Sequence, residues 1–432
     1  MNQFFKKEIS LAKKRHSPRI SGRVTQVIGL LIKSIGPEVF VGELCYIYSR
    51  KRERILCQVV GFKDQKVLLM SFGDSTHIAP GAEVYPTEEV HQIALSKNLC
   101  GRILDALGRP IDGKGLLFTE TLYPVLASPP HPLSRKLITE ALPTGVKVID
   151  ALCTLGKGQR VGIFSSPGVG KSTLMGMIAR MSQADINVIA LIGERGREVR
   201  EFIEKELGTE GLARSVVVVA TSDQAALLRS QGADVATAIA EYFRDLGHHV
   251  ILMMDSVSRY AMALREIGLA IGEPPTTRGY TPSVFASLPR LLERVGNSEK
   301  GSITGIYTIL SEENEIHDPI PDQMRSLLDG HIQLSSELAA SHHFPPIDVL
   351  RSLSRLMHAV TDSDQQEKAG KIRHLLHTYR EAEELINLGA YVPGSNPNID
   401  EAVKQIDVIN KKLQQKVDER VTFEISKSVL CI

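Results

Sequence analysis

The stretch Ser165-Ser166-Pro167-Gly168-Val169-Gly170-Lys171-Ser172-Thr173 follows the apolar run Val161–Phe164 and precedes a helix-like run from Leu174 to Met181. Strand, glycine loop and helix start is the context in which backbone N–H groups converge on a polyphosphate. Lys171 adds a mobile positive charge, and the Ser172 hydroxyl is an oxygen ligand of the kind Mg²⁺ takes. Ser166, Pro167, Gly168, Val169, Gly170, Lys171, Ser172 and Thr173 are therefore the candidate nucleotide-binding residues. The pattern departs at its first position, where Ser165 replaces glycine. The competing reading is a glycine-rich turn with a surface lysine.

Phosphate chemistry needs partners for that loop. Asp255 ends the apolar run Val250-Ile251-Leu252-Met253-Met254, and a carboxylate at the tip of a buried strand is the expected support for Mg²⁺. Without the loop it would read as a helix cap. Hydrolysis also needs a group that orients or deprotonates water. Ser256 follows Asp255, so the candidate is Glu194, in Gly193-Glu194-Arg195-Gly196-Arg197-Glu198. It follows the next strand after the loop helix, and a parallel sheet would bring that tip beside the phosphate. Alternatively, Glu194 pairs with Arg195 or Arg197 on the surface. A dissociative phosphoryl transfer gains from an arginine arriving from outside the loop. Arg355, in Ser352-Leu353-Ser354-Arg355, is the candidate, against a plain solvated face.

The surrounding pattern supplies the scaffold. Residues 1–19 form a basic tail with Lys6, Lys7, Lys13, Lys14 and Arg15. Residues 20–90 read as short strands such as Arg23–Ile28, Ile55–Val60 and Val67–Ser71, punctuated by turns, which suggests a small β-barrel. A loop-rich connector covers 91–144. From there to about 360, strands alternate with helices: Arg160–Phe164, Asn187–Gly193, Ser215–Thr221, Val250–Asp255 and Ser302–Leu310, with a helix over Gln224–Leu246. That alternation implies an α/β domain over 91–360 with a mostly parallel sheet and ligands at its carboxyl ends. Residues 361–432 read as helical, with breaks at Gly389 and Pro393-Gly394.

Composition narrows the class. At 432 residues, two or three domains are expected. The net charge of +1 offers no basic field for nucleic acid. There is no apolar run long enough to span a bilayer and no signal-like core at the start. Five cysteines without a C-x-x-C pair read as buried thiols in a reducing cytoplasm.

Longer motifs now add a resemblance. Gly193 to Val199, Asp255 to Ala263, Gly272 to Tyr280, Leu288 to Arg294 and Pro393-Gly394-Ser395 are similar to those of the type III protein-export ATPases of flagella and injectisomes, relatives of the F- and V-type rotary subunits. The resemblance runs from about Ile20 to the end. It implies a RecA/F1-like P-loop domain between an N-terminal barrel and a C-terminal helical domain. It also implies ATP as substrate with Mg²⁺, Lys171 and Ser172 on phosphate and metal, Asp255 supporting the metal, and Glu194 as the catalytic carboxylate. Arg355 would be a finger reaching a neighbouring subunit's nucleotide in a homohexameric ring, and Phe344 would pack on adenine. The implied partners are a stator-like regulator, a central stalk protein, export substrates with their chaperones, and the inner-membrane export gate. The implied place is the cytoplasm, peripheral to the inner face of the bacterial membrane. Ser166, Pro167 and the segment Ser311–Asp318 depart from the family pattern, and Pro167 removes one N–H donor. Two other readings of the same core are a non-catalytic nucleotide-binding subunit and a ring-shaped RNA translocase.

Overall fold

The computed structural model describes residues 21–311 and 318–431. The basic tail and most of Ser311–Asp318 lie outside the described residues. The chain divides into two compact units, one holding the residues up to Gln92 with Ala225–Leu227 and Glu266–Pro274, the other holding the rest.

The first unit is a closed antiparallel barrel of six strands: β1 (Gly22–Ile28), β2 (Leu31–Ile35), β3 (Glu43–Tyr48), β4 (Arg54–Lys63), β5 (Lys66–Ser71) and β6 (Glu83–Val90). Their spatial order is β1-β2-β5-β4-β3-β6. Side chains two apart point inward, so Cys45 and Ile47, Cys57 and Val59, and Val67 and Leu69 fill the barrel. Cys45 and Cys57 face each other across β3 and β4 as free thiols, and burial pushes Cys45 up to about 12. Not every cysteine is buried, however: Cys431 is exposed and Cys100 half-buried.

The second unit is built on β7 (Ile103–Asp105), β8 (Arg160–Ser165), β9 (Ile186–Ile192), β10 (Ser215–Ala220), β11 (His249–Asp255), β12 (Ser302–Leu310), β13 (Gly330–Leu334) and β14 (Ile347–Ser354). The spatial order is β14-β13-β8-β12-β11-β9-β10-β7, and every neighbouring pair is parallel except β13 with β14. Alternate residues of one strand enter two different cores. Val188, Ala190 and Ile192 belong to one, and Ile189 and Leu191 to the other. Both faces are therefore covered, which is why these strands read as unbroken apolar runs.

The helical end follows the sequence signals. Ser363–Asn387 is capped by Asp362, whose side chain accepts from Gln365 N–H at 2.7 Å. Gly389 then takes a left-handed φ of +69° and the chain reverses into Pro397–Leu413. A short helix, Phe423–Lys427, packs back on the start of the α/β core. There the buried Asp150 accepts from Thr144 N–H (2.8 Å), Thr144 Oγ1 (2.7 Å) and Gly145 N–H (3.1 Å), with Ser426 Oγ at 3.4 Å. Burial pushes its carboxyl up to about 6 from 3.8, so the folded chain holds a proton that the unfolded chain has lost. This group weakens the fold as pH rises through that window. Asp150→Ala leaves four buried donors without this acceptor and is expected to cost about 3 kcal/mol, read as a lower denaturation midpoint.

Candidate active site

At the end of β8 the chain turns through the glycine loop into the helix Lys171–Met181, whose cap Gly170 has a left-handed φ of +97°. Lys171 and Ser172 are the first two helical residues, so their N–H groups are among the donors a helix start leaves free for an anion. Gly168 is also left-handed (φ +80°), with open space around it. Ser166 Oγ donates to Ser311 C=O at 3.2 Å, and Ser311 N–H donates to Ser165 C=O at 3.1 Å. These bonds keep β8 and β12 paired to the mouth of the loop. Beyond Pro167 every loop residue through Thr173 retains its N–H. The Thr173 hydroxyl is committed elsewhere, donating to Glu206 at 3.0 Å.

Two carboxylates converge on the loop lysine. Lys171 Nζ lies 2.5 Å from Asp255 Oδ1 and 3.9 Å from Glu194 Oε1. Asp255 Oδ1 also accepts from Thr308 Oγ1 at 2.7 Å, which fixes its direction. Glu194 follows β9, the next strand in sequence after the loop helix, but in the sheet β12 and β11 lie between β8 and β9. Glu194 is thus brought to Lys171 across three strand ends. It does not pair with Arg195 or Arg197, which lie on the surface against Glu198 (3.3 Å) and Glu201 (3.4 Å); its own side chain hydrogen-bonds that of Glu198. Burial and the adjacent Asp255 charge push Glu194 up from 4.5 to about 7, partly opposed by Lys171. A group that must be ionised to accept a proton then loses activity below that value. An acid limb in kcat/KM near pH 7 is the expected profile, and a flat profile from pH 5.5 to 8 would count against Glu194 as the base.

One residue packed beside the site escaped the sequence reading. Gly193 has φ +72°, and a Cβ there would stand 2.7 Å from the Cβ of Arg259. The Arg259 side chain therefore runs past the Glu194 turn, with its buried Nε unpartnered among the described residues. Arg259 lies in the quoted Asp255–Ala263 motif, but nothing in its spacing singled it out.

Phe344 borders the loop: its Cε2 lies 3.6 Å from the place a Gly170 Cβ would occupy. A space of about 490 Å³ opens beside it, lined also by His342, Gln414, Gln415, Lys416, Val417 and Glu419. That volume suits a base with one aromatic wall. Arg355 is elsewhere. It follows β14, whose Ser354 pairs with Gly330 at the amino end of β13, while the loop sits at the carboxyl end of β8. Arg355 N–H donates to Asp329 C=O, and Asp329 N–H to Arg160 C=O, so Arg355 is level with the first residue of β8. Five residues of strand, about 16 Å, separate that level from Ser165. The exposed Arg355 does not serve its own loop.

The donor set suits magnesium. Asp255 and Ser172 offer hard oxygen atoms, and Mg²⁺ completes its shell with phosphate oxygens and water rather than with a protein cage. Among the described residues there is accordingly no cluster of three or more His, Cys, Asp or Glu side chains fit to hold a metal alone.

A lysine shared by two carboxylates over a helix-start phosphate loop, at the carboxyl ends of a parallel sheet, defines a P-loop nucleotide hydrolase. Residues 145–354 match the ATP synthase alpha/beta family nucleotide-binding domain, 24–88 its beta-barrel domain, and 361–431 the T3SS EscN ATPase C-terminal domain. The flagellum-specific ATP synthase of Bacillus subtilis is 53% identical over 95% of this chain and 94% of its own. The type 3 secretion system ATPase of Xanthomonas euvesicatoria is 50% identical over 95% and 93%. The assembled EscN ATPase of the enteropathogenic E. coli type III secretion system superposes with a TM-score of 0.90 at 43% identity, covering 95% of this chain and 99% of EscN. The chain belongs to the type III export ATPase family, and its relatives include both flagellar and secretion-system members. It is an ATPase, and the expected barrel, P-loop domain and helical end are the fold it has.

Proposed function

We propose that the protein hydrolyses ATP at sites shared between subunits of a homohexameric ring and spends that energy on protein export. Lys171 and the loop N–H groups hold the phosphates, and Ser172 and Asp255 would hold Mg²⁺, which would neutralise charge on the phosphate oxygens. Glu194 orients and deprotonates the attacking water, Phe344 packs on adenine, and Arg355 stabilises the transition state in the neighbouring subunit. The observation that carries this reading is the division of the machinery: Lys171, Asp255 and Glu194 meet at one end of the sheet and Arg355 stands at the other. EscN is known as an assembled ATPase and in complex with its central stalk EscO, which supports a ring with a stalk here. Release of chaperones and unfolding of substrates fit such a motor, as do a stator-like regulator and docking at an inner-membrane export gate. A cytoplasmic position peripheral to the membrane follows from the same reading. No helix among the described residues is long and apolar enough to cross a membrane.

Lys171→Ala tests the phosphate end. Loss of the ammonium leaves Asp255 and Glu194 together without a cation. Nucleotide affinity is expected to fall at least about tenfold and Mg²⁺-dependent phosphate release to about the background rate. Turnover near the wild-type rate would sink the assignment.

A further inference from the structure

The polar residues between Arg355 and β8 form a connected, buried array. Gln159, the residue just before β8, is fully buried. Its Oε1 accepts from Gly156 N–H at 2.8 Å, and its Nε2 donates to Asp329 C=O at 3.0 Å and to Ser354 Oγ at 3.1 Å. Ser354 Oγ in turn donates to Thr154 C=O at 2.8 Å. The same Asp329 carbonyl accepts the Arg355 N–H at 3.0 Å. The Asp329 carboxylate accepts from Arg160 N–H (3.1 Å) and Arg160 Nε (3.2 Å), while Arg160 NH1 reaches Glu293 at 2.6 Å. Space is tight here: a Cβ on Gly330 would meet Leu353 C=O at 2.5 Å and Ser354 Cα at 3.1 Å. Every donor of the Gln159 amide is used, and both go to the main chain or side chain next to Arg355.

We infer that Gln159 is a positioning residue for Arg355, setting where that arginine meets a neighbouring subunit's nucleotide. A core amide needed only for burial would be satisfied by any carbonyl. This one joins the two residues that flank the arginine backbone, Ser354 directly and Asp329 through the carbonyl that Arg355 itself uses. It does so from the root of β8, the strand that ends in the subunit's own phosphate loop. The device therefore links what happens at one site to the arginine offered to the next.

The inference rests on the shared-site reading, and the test separates the two. Gln159→Met keeps the volume and removes both donors. Ser354→Ala removes the acceptor beside Arg355 and is the second variant should the first not fold. Each is expected to lower kcat at least about tenfold, as small misplacements of a catalytic group do, with KM for ATP within about twofold of wild type. Each is then mixed with Glu194→Gln subunits. A mixed ring holds interfaces with an intact loop from the Gln159→Met subunit and an intact arginine from the other. Activity well above either variant alone is the expected result. No recovery with Gln159→Met or Ser354→Ala, while Arg355→Ala mixtures do recover, overturns the inference, because the lesion then lies in the subunit's own loop. No recovery with Arg355→Ala either overturns the shared-site reading itself. Rescue by Ser354→Thr, which keeps the hydroxyl, is expected; an equal loss in Ser354→Thr and Ser354→Ala would also overturn it.

Discussion

Glu194→Gln is expected to lower kcat about 10³-fold while nucleotide binding stays within about twofold of wild type. The amide keeps the shape and the hydrogen-bonding reach of the carboxylate, so the loop and Lys171 have no reason to move. What would be lost on the proposed assignment is the charge that draws a proton from water; Glu194 stands 3.9 Å from the loop lysine. Removing a buried carboxylate beside Asp255 also relieves a repulsion, so binding has no cause to weaken. Phosphate release with saturating Mg²⁺ and titration of a fluorescent nucleotide read the two quantities separately. A variant that keeps a tenth of the wild-type rate would remove Glu194 from the mechanism.

Arg355→Ala is expected to be as damaging for a different reason. An arginine reaching a phosphoryl transition state from a neighbour is worth about 10³ to 10⁵ in rate. Nothing in the subunit's own site depends on it, because it stands about five strand residues away from Ser165. Ground-state affinity should therefore persist, and binding of a transition-state mimic should not. The distinguishing result comes from mixing Arg355→Ala with Glu194→Gln subunits. Neither is active alone, yet some interfaces of the mixed ring are whole, and recovered turnover is expected. A mixture with only the sum of the two residual activities would show that each site is complete within one chain.

The phosphate loop, Asp255 and the alternation of strand and helix were legible because each is a local pattern: glycine spacing, a strand tip, a switch of period. The buried strands were legible for the same reason, since two covered faces leave unbroken apolar runs such as Ile186–Ile192 and Ser215–Ala220. Strand order was not. Glu194 follows the next strand in sequence, yet β12 enters the sheet from more than a hundred residues later and separates β8 from β11. Of the eight strands in the ordered sheet, three went unread. Ile103–Asp105 is only three residues inside a turn-rich connector, and Gly330–Leu334 and Ile347–Ser354 are broken by His331, Gln333, Asp348 and Arg351. Of these only Arg351 is exposed; Gln333 and Asp348 are buried and tolerated because they are hydrogen-bonded, Gln333 Nε2 donating to Leu334 C=O at 3.2 Å and Asp348 Oδ1 accepting from Leu350 N–H at 3.0 Å. Gln159 and Arg259 carry no signal in their spacing. Asp329 and Ser354 lie far from Gln159 in sequence, and Gly193 far from Arg259, so only the folded chain reveals what they touch.

The close pairing of Lys171 with Asp255 has a consequence for the order of events. In the resting enzyme on this reading, the carboxylate meant for magnesium already has a counter-ion, tethered and always at hand. Bare metal would have to evict it with nothing to offer the lysine in return. A triphosphate would offer something, because its oxygens are an alternative partner for the ammonium and would free the aspartate for a divalent cation. On the proposed assignment Ser172 and Asp255 would hold the metal only together with a nucleotide, and a subunit without nucleotide would gain little from free magnesium.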